Sequence, residues 1–151
     1  MFNLTSPIAG SAITGLTSPT YTLTADVAPS PFGKQFAVTA LGGTQAGVVA
    51  HSISSPFTAT FTRPSVLKQI LLTALGIVRN VPINNHKLIV RKGVACNASV
   101  SKNASVTVDF AIPAGSETYD KANLDALFSF AAGVVASQAQ GIRNTVSDGI
   151  V

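Results

Sequence analysis

Between Val27 and Val108 the chain has no aspartate and no glutamate, and charged residues of either sign make up only 11% of its 151 residues. An average soluble chain carries about a quarter. Cysteine occurs once, at Cys96, so no disulfide can form within the chain, and a reducing compartment is mildly favoured. Histidine occurs twice, at His51 and His86, with no carboxylate or cysteine at ligand spacing around either, so neither a metal nor another cofactor is expected. The pair Gly33-Lys34 lacks the earlier glycine and the following Ser or Thr of a phosphate loop. No Gly-x-Gly-x-x-Gly follows a strand, and there is no Gly-x-Ser-x-Gly elbow. The few carboxylates cluster where a helix begins, and capping explains them better than acid–base work. The expectation is a protein with no enzymatic activity, no cofactor and no small-molecule substrate.

Long hydrophobic runs are missing as well. Residues 126–142 are uncharged, but Ser129, Ser137, Gln138 and Gln140 dilute them, and they fall short of the ~20 apolar residues that a membrane span needs. Residues 64–78 are broken by Lys68 and Gln69. The first 25 residues have neither the basic start nor the apolar block of a secretory signal. Neither export nor a membrane is expected.

What the chain does have is apolar surface. Hydrophobic residues reach 46% and mean hydropathy is +0.41, which suits a subunit that is covered by others better than a free monomer. Its length predicts a single domain over 1–151, near the size where a partner chain often completes the core. The acid-free stretch holds Lys34, Arg63, Lys68, Arg79, Lys87, Arg91, Lys92 and Lys102, whereas the C-terminal section is mildly acidic. A basic middle section fits a polyanion-binding face, and equally a positive side that only keeps the protein soluble.

Alternation of period two, rich in Val, Thr, Phe and Tyr, predicts antiparallel strands at 20–27, 35–41, 47–53, 57–63, 86–92 and 105–112. Turn residues separate them, Asn84-Asn85 among these. Residues 64–85 fit either a short helix or an extended arm running into a hairpin, and Pro64, Gly76 and Pro82 favour the arm. Beyond Pro113 the period becomes helical: Leu124, Leu127, Phe128, Ala131, Val134 and Val135 share a face, with Ser116 or Asp120 as cap. Gly141 is expected to interrupt, leaving a second short helix. Strands followed by two helices predict an α+β fold with the helices on one face of an antiparallel sheet.

Residues two apart in a strand share a face. Val106, Val108, Phe110 and Ile112 oppose Ser105, Thr107 and Asp109; Phe57, Ala59 and Phe61 oppose Thr58, Thr60 and Thr62; Leu88 and Val90 oppose Lys87 and Arg91, with Ile89 the exception. The sheet therefore has an apolar side for helices and a side of hydroxyls and cations. The latter is either an RNA-binding surface, with Lys92, Arg63 and Lys68 assisting, or an ordinary solvated one, since threonine favours strands anyway.

The stretches Thr62-Arg-Pro-Ser-Val-Leu-Lys68, Asn80-Val-Pro-Ile-Asn84, Lys87-Leu-Ile-Val-Arg-Lys-Gly-Val94, Val106-Thr-Val-Asp-Phe-Ala-Ile-Pro-Ala-Gly-Ser116 and Asp148-Gly-Ile-Val151 occur in an order that resembles the levivirus coat proteins of single-stranded RNA bacteriophages. The resemblance implies an N-terminal β-hairpin, a five-stranded antiparallel sheet and two C-terminal helices interlocking with a dimer partner. Homodimers then assemble into an icosahedral capsid in the bacterial host cytoplasm and form the virion. It also implies single-stranded genomic RNA bound on the inner sheet face by Thr58, Thr60, Thr62, Lys87, Arg91, Ser105 and Thr107, and repression of replicase translation through one RNA hairpin. A dimer interface through Leu124, Leu127, Phe128, Ala131, Val134 and Val135 follows from the helix face. Residues 93–103 correspond to the loop that gathers around the capsid symmetry axes. The rival readings are a fimbrial or pilin-like assembling subunit and a stand-alone RNA-binding domain.

Overall fold

A computed structural model describes residues 1–150. The fold is α+β. Strands β1 (Ile8–Ala9), β2 (Thr17–Asp26), β3 (Gly33–Thr44) and β4 (Phe57–Thr62) are followed by a small hairpin, β5 (Leu71–Leu72) and β6 (Val78–Asn80). Then come β7 (Ile83–Ala95), β8 (Ser101–Pro113), α1 (Ser116–Tyr119), α2 (Lys121–Ser137) and α3 (Ala139–Asp148). The main sheet is antiparallel throughout, in the order β1-β2-β3-β4-β7-β8. The expected five strands are there; the sixth is the two-residue β1, which adds Ile8 opposite Tyr21 and Ala9 opposite Thr20 at the edge. The third helix is the single turn α1.

Four local expectations differ from the structure. Residues 47–53 form no strand, because β3 pairs directly with β4 and the segment is the connection between the two. The segment loops over instead, tied by the His51 N–H to the Val38 carbonyl (2.8 Å) and by the Phe57 N–H to His51 Nδ1 (3.0 Å). Asn84-Asn85 is not a turn but the start of β7, whose ladder with β8 continues to Ile83 opposite Pro113. The helical break falls at Gln138 rather than Gly141, which lies inside α3. The β7–β8 loop is only residues 96–100, because both strands run on past the expected 93–103 loop; the Asn97 side chain closes it by accepting from Ser99 N–H (2.9 Å) and Val100 N–H (2.7 Å).

Residues 64–82 are an extended arm and hairpin, as Pro64, Gly76 and Pro82 suggested. Asn84 fixes the arm. The Lys68 N–H donates to Asn84 Oδ1 (2.9 Å), and Asn84 Nδ2 donates to the Lys68 carbonyl (3.0 Å), so one buried side chain satisfies both backbone groups. Gly115, with φ of +89° at the N-cap of α1, allows Ile70 to lie against it at a place where a Cβ would collide.

The apolar side of the sheet carries Phe36, Val38, Phe57, Phe61, Val90, Val108, Phe110 and Ile112. Phe2 returns from the N-terminus to stack on Phe61 (ring centroids 4.6 Å), and Phe128 of α2 reaches Phe110 (5.6 Å). Otherwise the helices leave their own sheet largely uncovered. Asp120 caps α2 through Asn123, yet α2 and α3 have no buried residue, although Leu127, Phe130, Val134, Val135, Ile142 and Val146 are apolar. The accessible surface is 10452 Å². A compact monomer of 15.4 kDa exposes about 7,200 Å². The lone chain thus exposes about 3,300 Å² more than a finished globule of its mass. Among the described residues no helix is long and apolar enough to cross a membrane.

The Asn84 clamp generates a prediction. Asn84→Ala leaves the Lys68 N–H and carbonyl without partners and should lower stability by about 1–3 kcal/mol. Urea unfolding followed by circular dichroism measures this; an unchanged midpoint would mean that Ile70, not Asn84, holds the arm.

Candidate nucleic-acid interface

The register across β3, β4, β7 and β8 decides which side chains share a face. Thr58 lies opposite Arg91 and Arg91 opposite Ser105; Thr60 lies opposite Ile89 and Ile89 opposite Thr107; Thr62 lies opposite Lys87 and Lys87 opposite Asp109. All seven side chains chosen by strand parity therefore sit on one side, away from the helices. On β3 the same rows continue through Gln35, opposite Thr60, and Ala37, opposite Thr58; on β2 they reach Asp26 and Thr24. At about 4.8 Å per strand the five strands span roughly 20 Å.

The centre of this face is a chain of hydrogen bonds. Arg91 Nη1 donates to Thr60 Oγ1 (3.3 Å), Thr60 Oγ1 donates to Gln35 Oε1 (2.7 Å), and Gln35 Nε2 donates to Asp26 Oδ2 (2.6 Å). The Gln35 amide, and after it the Val27 N–H, hold the Asp26 carboxyl below the usual carboxylate range. Each donor thus has a defined acceptor, and the Arg91 guanidinium is oriented from behind. Thr60 is 1% exposed and Thr58 5%, both covered by the longer side chains around them. Thr62 and Arg91 are half-buried, while Lys87, Ser105 and Thr107 are exposed. Lys87 Nζ lies 3.3 Å from Asp109 Oδ1, with the two side chains 52% and 57% exposed. An ion pair that open to solvent is weak and exchanges readily for another anion.

Parity also removes two residues expected to assist. Lys92 lies opposite Phe57 and so faces the other way, with Nζ 5.1 Å from the Phe57 ring and donating to Ser55 Oγ (3.1 Å). Arg63 follows Phe61 in parity; its guanidinium sits 5.2 Å above the Phe32 ring and donates to the Pro64 carbonyl (3.1 Å). Lys34, opposite Phe61, and Lys102, opposite Val94, share that side. Lys68 is in the arm. The strands' hydroxyl face therefore carries two cations, Lys87 and Arg91, against two carboxylates, Asp26 and Asp109, and is close to neutral. Gln35 and Asp26 were not legible as participants, because the β3–β4 register that places them there is not written in either strand alone.

No protein-family model and no curated protein matches the chain. Among solved structures, the virus-like particle of bacteriophage ESE020 matches over 100% of both chains with 46% identity and a TM-score of 0.94. The virus-like particle of Beihai levi-like virus 32 matches over 87% of this chain and 88% of that one, with 16% identity and a TM-score of 0.52, a likeness of fold. Identity of this extent over the full length, on a sheet with one helix-facing and one hydroxyl face, decides the family: the chain belongs to the levivirus-type bacteriophage coat proteins and is a structural subunit of their particles.

Proposed function

We propose that the chain acts as a single coat domain that dimerises through α2, α3 and the β8 edge, and holds single-stranded RNA on the hydroxyl face of its sheet, turned to the particle interior. The observation that carries the RNA reading is the alignment of Thr58, Thr60, Thr62, Lys87, Arg91, Ser105 and Thr107 in one continuous register. A nearly neutral face rich in hydroxyls suits directional hydrogen bonds to unpaired, splayed bases better than long-range attraction to a duplex backbone. Lys87 and Arg91 are the phosphate contacts. Thr62, Ser105 and Thr107 offer exposed hydroxyls, and buried Thr58 and Thr60 act from behind, Thr60 by orienting Arg91. By its family resemblance the preferred ligand is one hairpin at the replicase start, whose binding represses translation, with assembly in the bacterial cytoplasm.

Two features support the dimer. The outer edge of β8 is unpaired over thirteen residues among the described elements, a length that soluble proteins rarely leave open. Beside it run helices whose apolar residues find no cover in their own chain. A second copy related by a two-fold axis covers both at once.

The two halves of the proposal are tested separately. Ala131 is exposed in the lone chain, so Ala131→Asp should leave the isolated fold intact but weaken a dimer core by about 3 kcal/mol or more. Analytical ultracentrifugation reads this as loss of dimer; a variant that dimerises like wild type removes α2 from the interface, and a monodisperse native-like wild-type monomer removes the dimer altogether. For RNA, Lys87→Ala/Arg91→Ala should still assemble but package less RNA, and each lost phosphate contact should flatten the log–log salt dependence by roughly 0.7–0.9. Asp109→Asn should act in the opposite direction, tightening binding by releasing Lys87. Packaging and salt slope unchanged in the double variant would place the RNA on another surface.

A further inference from the structure

The β5–β6 hairpin is the most apolar feature that the chain holds out into solvent. Leu71, Leu72, Leu75, Ile77 and Val78 are all exposed, Leu75 at the tip by 87%. It is nevertheless built firmly. Leu71 pairs with Asn80 and Leu72 with Val78, the Thr73 N–H reaches the Ile77 carbonyl (2.8 Å), and Gly76, with φ of +76°, turns the tip. Asn84 and the Ile70–Gly115 contact anchor its base to the sheet. An apolar hairpin fixed at its base and uncovered at its tip marks a contact surface.

A particle requires more than one kind of contact. A two-fold dimer uses the same patch on both copies and closes on itself, so joining dimers takes a second surface. The area allows one: obligate dimers remove roughly 1,000–2,500 Å² from each chain, less than the surplus of about 3,300 Å². The hairpin leaves the end of the sheet between β4 and β7, not the β8 edge. The β7–β8 loop, only residues 96–100 and tied down by Asn97, has little reach. Among the described residues the hairpin holds no acidic group, and Arg79 near its base makes no ion pair within the chain, whereas Glu117, Asp120 and Asp125 lie exposed near the helix start of every other copy.

We infer that the β5–β6 hairpin is the surface by which one dimer grips a copy of this chain in a neighbouring dimer. The inference rests on the dimer reading above. Leu75→Asp/Ile77→Asp alters only exposed side chains, and should yield folded, soluble dimers that form no particles, read by circular dichroism, analytical ultracentrifugation and electron microscopy. Particles like those of wild type would overturn the inference, and so would monomers, which would place the hairpin inside the dimer. A wild-type protein that is not dimeric when dissociated would instead remove the dimer reading. As a milder variant, Leu75→Ser should raise the concentration needed for assembly about tenfold with the dimer unchanged; an unaltered assembly threshold would also overturn the inference.

Discussion

The ladder between β7 and β8 runs without a bulge from Ile83 opposite Pro113 to Ala95 opposite Ser101, and β4 joins it in unbroken register from Phe57 to Thr62. Because side chains alternate strictly across a pleat, this pairing sorts every residue of the three strands to one face or the other. A slip of one residue in β7 would carry Arg91 to the helix side and Val90 to the hydroxyl side. Within the main sheet the bulges are confined to β2 against β3, away from these strands. Gly43 allows one of them, since a Cβ there would run into the carbonyls of Ser18 and Thr17. The two faces thus differ in chemistry through register rather than composition, and the β7–β8 ladder carries that distinction to the free β8 edge.

The lone chain buries little. Among the described residues Pro19, Phe36, Ala37, Val38, Ile112 and Ala114 are the buried apolar ones, while most Leu and Val side chains stay in contact with water. Part of the surplus surface is apolar, and covering it in association adds stability to a chain whose own core is small. Folding and assembly are therefore linked, and apparent stability rises with protein concentration. The same fact accounts for the low charge content read from the sequence: a surface that other copies will cover has little use for solvated charges.

Strand parity was legible because it is local. The alternation in 57–63, 86–92 and 105–112 is strong enough to place the hydroxyl face, and the helical repeat from Leu124 to Val135 to place the helix. Failures occurred where a distant partner decides. Residues 47–53 alternate like a strand but lie in the connection between β3 and β4, which pair directly with each other, and Asn84-Asn85 has turn chemistry yet is drawn into β7 because Asn84 uses its amide on Lys68 rather than on its own backbone. Arg63 and Lys92 carry the charge that suits the hydroxyl face but the parity of the apolar one, and parity decides where they lie. Gln35 was invisible as a site residue because its role follows from lying opposite Thr60.

The positive charge that marked the middle of the sequence is mostly not on the hydroxyl face. Lys34, Arg63, Lys92 and Lys102 belong to the opposite side, and Lys68 and Arg79 to the arm and hairpin. There, Lys92 and Arg63 lie over the rings of Phe57 and Phe32, cations packed on apolar surface rather than held out to a polyanion. Their long stems cover apolar area on the helix side of the sheet, and four of the six acidic residues, Glu117, Asp120, Asp125 and Asp148, lie in the helical section. A basic stretch facing an acidic one in the same sequence is therefore read more economically as complementarity between copies than as an RNA footprint. Under the proposed RNA reading, the neutral face would discriminate through hydroxyls, where removing one bond changes which ligand fits more than how strongly any anion is drawn.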